Sequence, residues 1–148
     1  MQHSDPRILV VLLNYRTPEM TLRAADAALR SMQGLNAELV IVDNASGDGS
    51  AEIFEQAIQE KGWAHNGLVR LRVSHINGGF GAGNNIGFAS GMSDGTAPDY
   101  YYVLNSDAFP DADCLGHLVE HMQNTPKAGI AGSHVRGEDG VAHHAAFR

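Results

Sequence analysis

Short apolar runs alternate along the chain with segments in which apolar residues recur every three or four positions. "RILVVLLN" (7–14) is an almost unbroken run of leucine and β-branched residues, the pattern of a strand buried on both faces. It predicts the central strand of a parallel sheet. Thr17 and Pro18 then supply a helix N-cap and first helical residue, and Leu22, Ala25, Leu29 and Met32 follow at helical spacing up to Gly34. "AELVIVDN" (37–44) repeats the buried-strand pattern, and "ASGDGS" makes a polar turn. Ser50 is placed to cap a second helix carrying Phe54, Ala57 and Ile58 to about Gly62. "LVRLRVSH" (68–75) alternates more, as a strand nearer a sheet edge does.

The glycine-rich "INGGFGAGNNIGF" (76–88) comes next, with a short helix of small residues predicted over about 82–92. "PDYYYVLNSD" (98–107) reads as a fourth strand ending in a polar triplet. Pro110 and Asp111 then start a helix whose Leu115, Leu118, Val119 and Met122 share one face, closed before Pro126. "AGIAGSHV" (128–135) predicts a further strand, "RGEDG" a turn, and "VAHHAAFR" the beginning of another element. Strands alternating with helices predict an α/β fold with a parallel sheet and right-handed crossovers. No repeat, low-complexity tract or linker divides the chain, so residues 1–148 read as a single domain.

Composition narrows what such a domain can bind. The chain has 148 residues, 43% of them hydrophobic, enough for one buried core. A formal charge of −7, a pI near 5.5 and ten scattered Lys and Arg argue against a nonspecific grip on nucleic acid. An anionic ligand must then be met by backbone N–H groups, a metal, or one or two placed arginines. The one cysteine, Cys114, rules out an internal disulfide and suits a reducing compartment. Neither a signal peptide nor a run long enough to span a membrane is visible, which makes a soluble cytoplasmic protein the default.

In open α/β sheets ligands bind outside the carboxyl ends of the strands. Four such ends carry "NYR" (14–16), "DN" (43–44), "NGG" (77–79) and "NSD" (105–107). Each Asn or Asp alone is an ordinary turn former. Together they give one rim two carboxylates and several amides. Asp107, with Asn105 two residues earlier on the same face, offers oxygen ligands to a hard divalent ion, since Mg²⁺ takes one or two carboxylates plus phosphate oxygens and water. Asp43 is a candidate acceptor for a base imide or a ribose hydroxyl rather than a metal ligand. The glycines of 76–88 would let backbone approach a ligand closely, and Asn84 and Asn85 could hydrogen-bond it or hold neighbouring loops.

"VVLLNYRTPEMTLRAADAAL", "VIVDNASGDGSAE", "NGGFGAGNNIGF" and "YYVLNSDAF", in this order and spacing, resemble the nucleotide-sugar-binding half of glycosyltransferase family 2, especially its rhamnosyltransferase-like branch. The resemblance runs from about Arg7 to about Gly140. It implies a Rossmann-like GT-A fold, a mostly parallel sheet flanked by helices. The implied activity is inverting transfer of a sugar from a nucleoside diphosphate sugar, with Mg²⁺ or Mn²⁺, to a saccharide or lipid-linked acceptor. By that resemblance Asn14, Tyr15 and Asp43 line the nucleoside site, and Asn105 and Asp107 take the place of the family's Asp-X-Asp metal motif. The candidate donor-binding set is Asn14, Tyr15, Arg16, Asp43, Asn44, Gly79, Phe80, Gly83, Asn84, Asn105, Ser106 and Asp107, with Asp107 and Asn105 as metal ligands. The family's acceptor-binding half and its general base have no counterpart after Gly140, so a fold truncated at the C-terminus and poor catalysis by this chain alone are expected. A peripheral place at the inner face of the membrane is compatible with a lipid-linked acceptor.

Two readings of other classes compete. "GAGNNIG" (81–87) is a G-x-G-x-x-x-G variant of the dinucleotide fingerprint, which would make the protein an NAD(P)-dependent oxidoreductase. That fingerprint normally opens the first βαβ unit, whereas here two units precede it. A non-catalytic nucleotide-sugar-binding module is the other. "HLVEH" (117–121) has the H-x-x-E-H form of a zinc peptidase helix, but the core face of that helix leaves His117, Glu120 and His121 pointing outward. His143 and His144 read as surface residues, and Trp63 as packing.

Overall fold

A computed structural model describes residues 5–142. Four parallel strands form one sheet in the order β3-β2-β1-β4, where β1 is Ile8–Asn14, β2 Ala37–Asp43, β3 Val69–Val73 and β4 Tyr100–Asn105. β1 takes an inner place because its residues from Ile8 to Leu12 are apolar and essentially without exposure. Burying each such side chain is worth roughly 1.5–3 kcal/mol, which no edge position would deliver. The more alternating β3 lies at an edge, as its pattern predicts.

The crossovers are helices α1 (Pro18–Ser31), α2 (Ser50–Glu60) and α3 (Gly79–Ala89), and α4 (Cys114–Asn124) follows β4. On one side of the sheet Ile8, Val10 and Leu12 pack with Ala24, Ala28, Phe54, Leu115 and Val119 of α1, α2 and α4, and Trp63 joins that cluster. On the other side Leu9, Val11 and Leu13 meet α3 through Ile86 and Phe88, with Met92 just beyond it. α3 covers β1 and β2, and β4 on this side keeps Tyr101 and Val103 largely exposed.

Several boundaries differ from the sequence reading. α3 starts at Gly79 rather than near residue 82, because the glycine run is helical and serves helix-to-sheet packing. Ser50 does not cap α2: it is the first helical residue, preceded by Gly49 in the left-handed conformation, and Asp48 Oδ1 accepts from both its N–H and its hydroxyl. α4 begins at Cys114, after a turn in which Cys114 N donates to Asp111 O.

The predicted strand over 128–135 does not form. Gly129 and Gly132 interrupt the segment and Ile130 faces solvent, so it offers β4 neither β-branched pairing nor a buried face. It runs beside α4, with Ser133 Oγ 3.2 Å from Cys114 Sγ. A single antiparallel bridge, Arg136 with Ala142, closes the "RGEDG" turn. The element predicted in "VAHHAAFR", with His143 and His144, lies outside the described residues from position 143 on.

Candidate functional site

Parallel register sets the strand ends side by side. Asn14 is level with Asp43, Asp43 with Val73, and Leu13 with Asn105. Asn44 N then donates to Asn14 O and Ser74 N to Asp43 O, so the ladder continues into the loops. The expected rim therefore exists, and it is built in two layers.

The lower layer is buried. Asn14 is 0% exposed and Asp43 3%. Asn14 Nδ2 donates to Asp43 Oδ1 at 2.8 Å and to Ser46 Oγ at 3.1 Å, while its Oδ1 accepts from Thr21 Oγ1 at 2.7 Å and from Thr17 N at 3.3 Å. Ser46 donates its hydroxyl to Asp43 Oδ1 at 2.5 Å and its N–H to Oδ2 at 3.3 Å. A buried carboxylate without a cation is tolerable only when several donors surround it, and here an amide, a hydroxyl and a backbone N–H do so. Asn14 and Asp43, expected to line the nucleoside site, thus lie beneath the exposed rim with their polar atoms engaged by protein.

The upper layer is open to solvent. Tyr15 is 44% exposed and Phe80 58%, and Arg16, Asn105 and Asp107 are exposed as well. Arg16 and Ala45 both have positive φ, 56° and 57°, so the chain turns sharply just past the ends of both β1 and β2. Arg16 N donates to Ser46 Oγ at 3.0 Å and Arg16 Nε to Ser46 O at 3.1 Å, with the guanidinium carbon 5.2 Å from the centre of the Tyr15 ring. Ser106 Oγ accepts from Thr17 Oγ1 at 3.4 Å, and the guanidinium of Arg23 lies 4.8 Å from the Phe109 ring, so α1 steadies the loop that carries Asp107.

The glycine-rich stretch divides its residues between the two layers. Gly79 and Phe80 are at the rim. Gly83, expected to face the ligand, faces the sheet: a Cβ there would fall 2.6 Å from Leu13 Cδ1, and one on Gly87 2.3 Å from Val11 Cγ1. Asn44 Nδ2 donates to Asn77 Oδ1 and Gly79 O, which ties the end of β2 to the start of α3. Asn84 is also buried and donates to Phe80 O, while Asn85 is exposed. The side-chain oxygens of Asn44 and Asn84 are buried without a protein donor.

For a divalent cation the rim offers Asn105 and Asp107, whose side chains accept no hydrogen bond from the described residues. Among those residues no group of three or more His, Cys, Asp and Glu could hold a metal. One carboxylate and one amide oxygen suit an ion that keeps water and phosphate as its remaining ligands, so the pair fits Mg²⁺ or Mn²⁺ in that manner and does not form a cage. His117 and Glu120 are more than 70% exposed on α4, as the helical periodicity predicts. A cavity of about 910 Å³ opens at the opposite end of the sheet, between Ile8, Leu35, Tyr100, Val119 and Met122, away from every strand carboxyl end. Thr21 and Ser46 are the residues that sequence reading missed. Ser46 had a signal, a hydroxyl three positions after Asp43 within reach of its carboxylate.

A protein-family model described as Glycosyl transferase family 2 matches residues 8–145. Among solved structures, the mannosyltransferase PcManGT of Pyrobaculum calidifontis, in complex with GDP-Man and Mn²⁺, superposes with a TM-score of 0.67 at 20% identity. The match covers 81% of this chain and 33% of that one. TarS of S. aureus, in complex with UDP-GlcNAc, gives 0.62 at 15% identity, covering 86% of this chain and 38% of that one. At these identities the likeness is one of fold, the GT-A fold of glycosyltransferases, and the chain spans only 33% and 38% of the two structures. No curated protein matches the chain.

Proposed function

The chain belongs to glycosyl transferase family 2, and from that membership we propose that it is the donor-binding part of an inverting hexosyltransferase of the rhamnosyltransferase-like branch. Its ligand is a nucleoside diphosphate sugar bound with Mg²⁺ or Mn²⁺. The observation that carries the reading is the two-layered rim: Tyr15, Arg16, Asn105 and Asp107 stand exposed over a buried network that fixes the loops bearing Tyr15 and Arg16. Arg16 and the backbone N–H groups at the start of α3 meet the diphosphate, Tyr15 offers its ring face to the base, and Asn14 and Asp43 support them from below. Asn105 and Asp107 hold the cation, which when bound neutralises the diphosphate leaving group. The structural neighbours, solved with GDP-Man and Mn²⁺ and with UDP-GlcNAc, favour a sugar nucleotide over a dinucleotide.

So does the fate of the glycine fingerprint. Gly83, the second glycine of G-x-G-x-x-x-G and the one a dinucleotide fingerprint sets against the pyrophosphate, is instead packed on Leu13. Acceptance by a saccharide or lipid-linked hydroxyl completes the proposed reaction. Among the described residues no helix is long and apolar enough to cross a membrane, and a peripheral place at the cytoplasmic face suits a lipid-linked acceptor. Calorimetric titration with GDP-, UDP- and dTDP-sugars, and separately with NADH, tests the proposal. One of the sugar nucleotides should bind in the presence of Mn²⁺; heat from NADH alone would replace it with the oxidoreductase reading.

A further inference from the structure

We infer that Ser46 is a positioning residue that latches Arg16 at the donor rim; the inference rests on the reading of Arg16 as a diphosphate contact. Ser46 is 1% exposed and offers no surface of its own to a ligand. Its hydroxyl is used to capacity. The one proton goes to Asp43 Oδ1, and the two acceptor sites take Asn14 Nδ2 and Arg16 N. Its carbonyl takes Arg16 Nε, and its N–H goes to Asp43 Oδ2. One residue therefore joins the buried carboxylate at the end of β2 to both the backbone and the side chain of an exposed arginine after β1.

The latch has a purpose because Arg16 is held where an unbranched L-residue does not settle unaided. Its φ of 56° is in the left-handed region, and a long exposed guanidinium otherwise samples many rotamers. Bonding Nε to Ser46 O leaves the two terminal amino groups of the fork free to face an anion, and Tyr15 lies under the plane. A preformed arginine loses less freedom when a diphosphate arrives, so Ser46 contributes to affinity without touching the ligand: its carbonyl holds the side chain, and its hydroxyl holds the backbone turn that brings the two together.

The test is a double-mutant cycle on the whole chain with GDP and UDP plus Mn²⁺ as probes, read by calorimetry, together with hydrogen exchange of the Arg16 backbone and Nε protons. Ser46→Ala should weaken binding about three- to tenfold, the size of one or two lost hydrogen bonds. It should speed exchange of the Arg16 backbone N–H, whose acceptor it removes, at least tenfold while the amides of Val11 and Ile41 keep their protection. In an Arg16→Ala background the same substitution should change affinity less than twofold, and Ser46→Thr should recover most of the loss because it restores the hydroxyl. An equal loss with and without Arg16, or unchanged exchange at Arg16, would overturn the latch. If Arg16→Ala leaves nucleotide affinity intact, the diphosphate role of Arg16 fails instead, and the exchange experiment still decides whether Ser46 holds it.

Discussion

Asn14 shows how far a residue can be read from sequence and where that stops. Its place at a strand end is legible from the apolar run before it, and so is its neighbourhood with Asp43, since both end buried strands. Depth is not legible, because Asn is equally at home on a rim and beneath one. The structure puts it below, with all four of its hydrogen-bonding positions filled, by Asp43, Ser46, Thr21 and Thr17. Replacing it by Ala would leave a buried carboxylate short of a donor and the Thr21 hydroxyl without an acceptor. We expect Asn14→Ala to cost about 2–4 kcal/mol in urea unfolding, as loss of a partner in a buried charged network does. Tyr15→Ala, one residue away but 44% exposed, should cost under about 0.5 kcal/mol while weakening nucleotide binding. Equal losses of stability at the two positions would contradict the layered arrangement.

At the scale of elements, α3 explains why the glycine-rich stretch misleads. Its residues suggested a loop followed by a helix, and a dinucleotide cradle, because glycine is a poor helix former. Contact with the sheet overrides propensity: Gly83 and Gly87, one turn apart, let the helix axis settle onto Leu13 and Val11. Two alanine substitutions should therefore have opposite signs. Gly87→Ala drives a methyl into Val11 and should destabilise by about 1–3 kcal/mol, whereas Gly81→Ala, with nothing within 4 Å, should stabilise by about 0.5–1 kcal/mol. Thermal unfolding of both variants reads the difference. The far end of α3 is held by Arg70, which donates to Ser90 O and Gly91 O and pairs with Glu38 at 3.0 Å. Its desolvation pushes the guanidinium pKa below its ordinary range, against the pull of Glu38. None of this clamp was legible, because Glu38 and Arg70 meet only through the β2–β3 register and Ser90 reaches them only through the packing of α3 on the sheet.

Across the whole molecule, the alternation of strands and helices already dictated the α/β architecture and the rim where the strand carboxyl ends meet; in the architecture, the fifth strand and the helix starts needed correction. The sheet is also fastened at its other end, where Arg7 beside Asp99 bonds that carboxyl and keeps it below the usual carboxylate range. A carboxyl whose folded pKa is depressed stabilises above its unfolded value and loses that contribution as pH falls through the folded one. The melting temperatures of the native chain and Asp99→Asn should therefore differ near pH 7, begin to approach each other as the pH falls below about 4, and meet only below the depressed folded pKa. The central claim concerns the opposite end: that a chain of net charge −7 binds a diphosphate there. Electrostatics makes that feasible only with help from Arg16, α3 and a divalent cation. The direct measurement is the affinity of GDP and UDP with Mn²⁺ and with EDTA, for the native chain and for Asp107→Ala. At least tenfold tighter binding with Mn²⁺, abolished by Asp107→Ala, is the expected result; a nucleotide affinity indifferent to both metal and substitution would contradict the site.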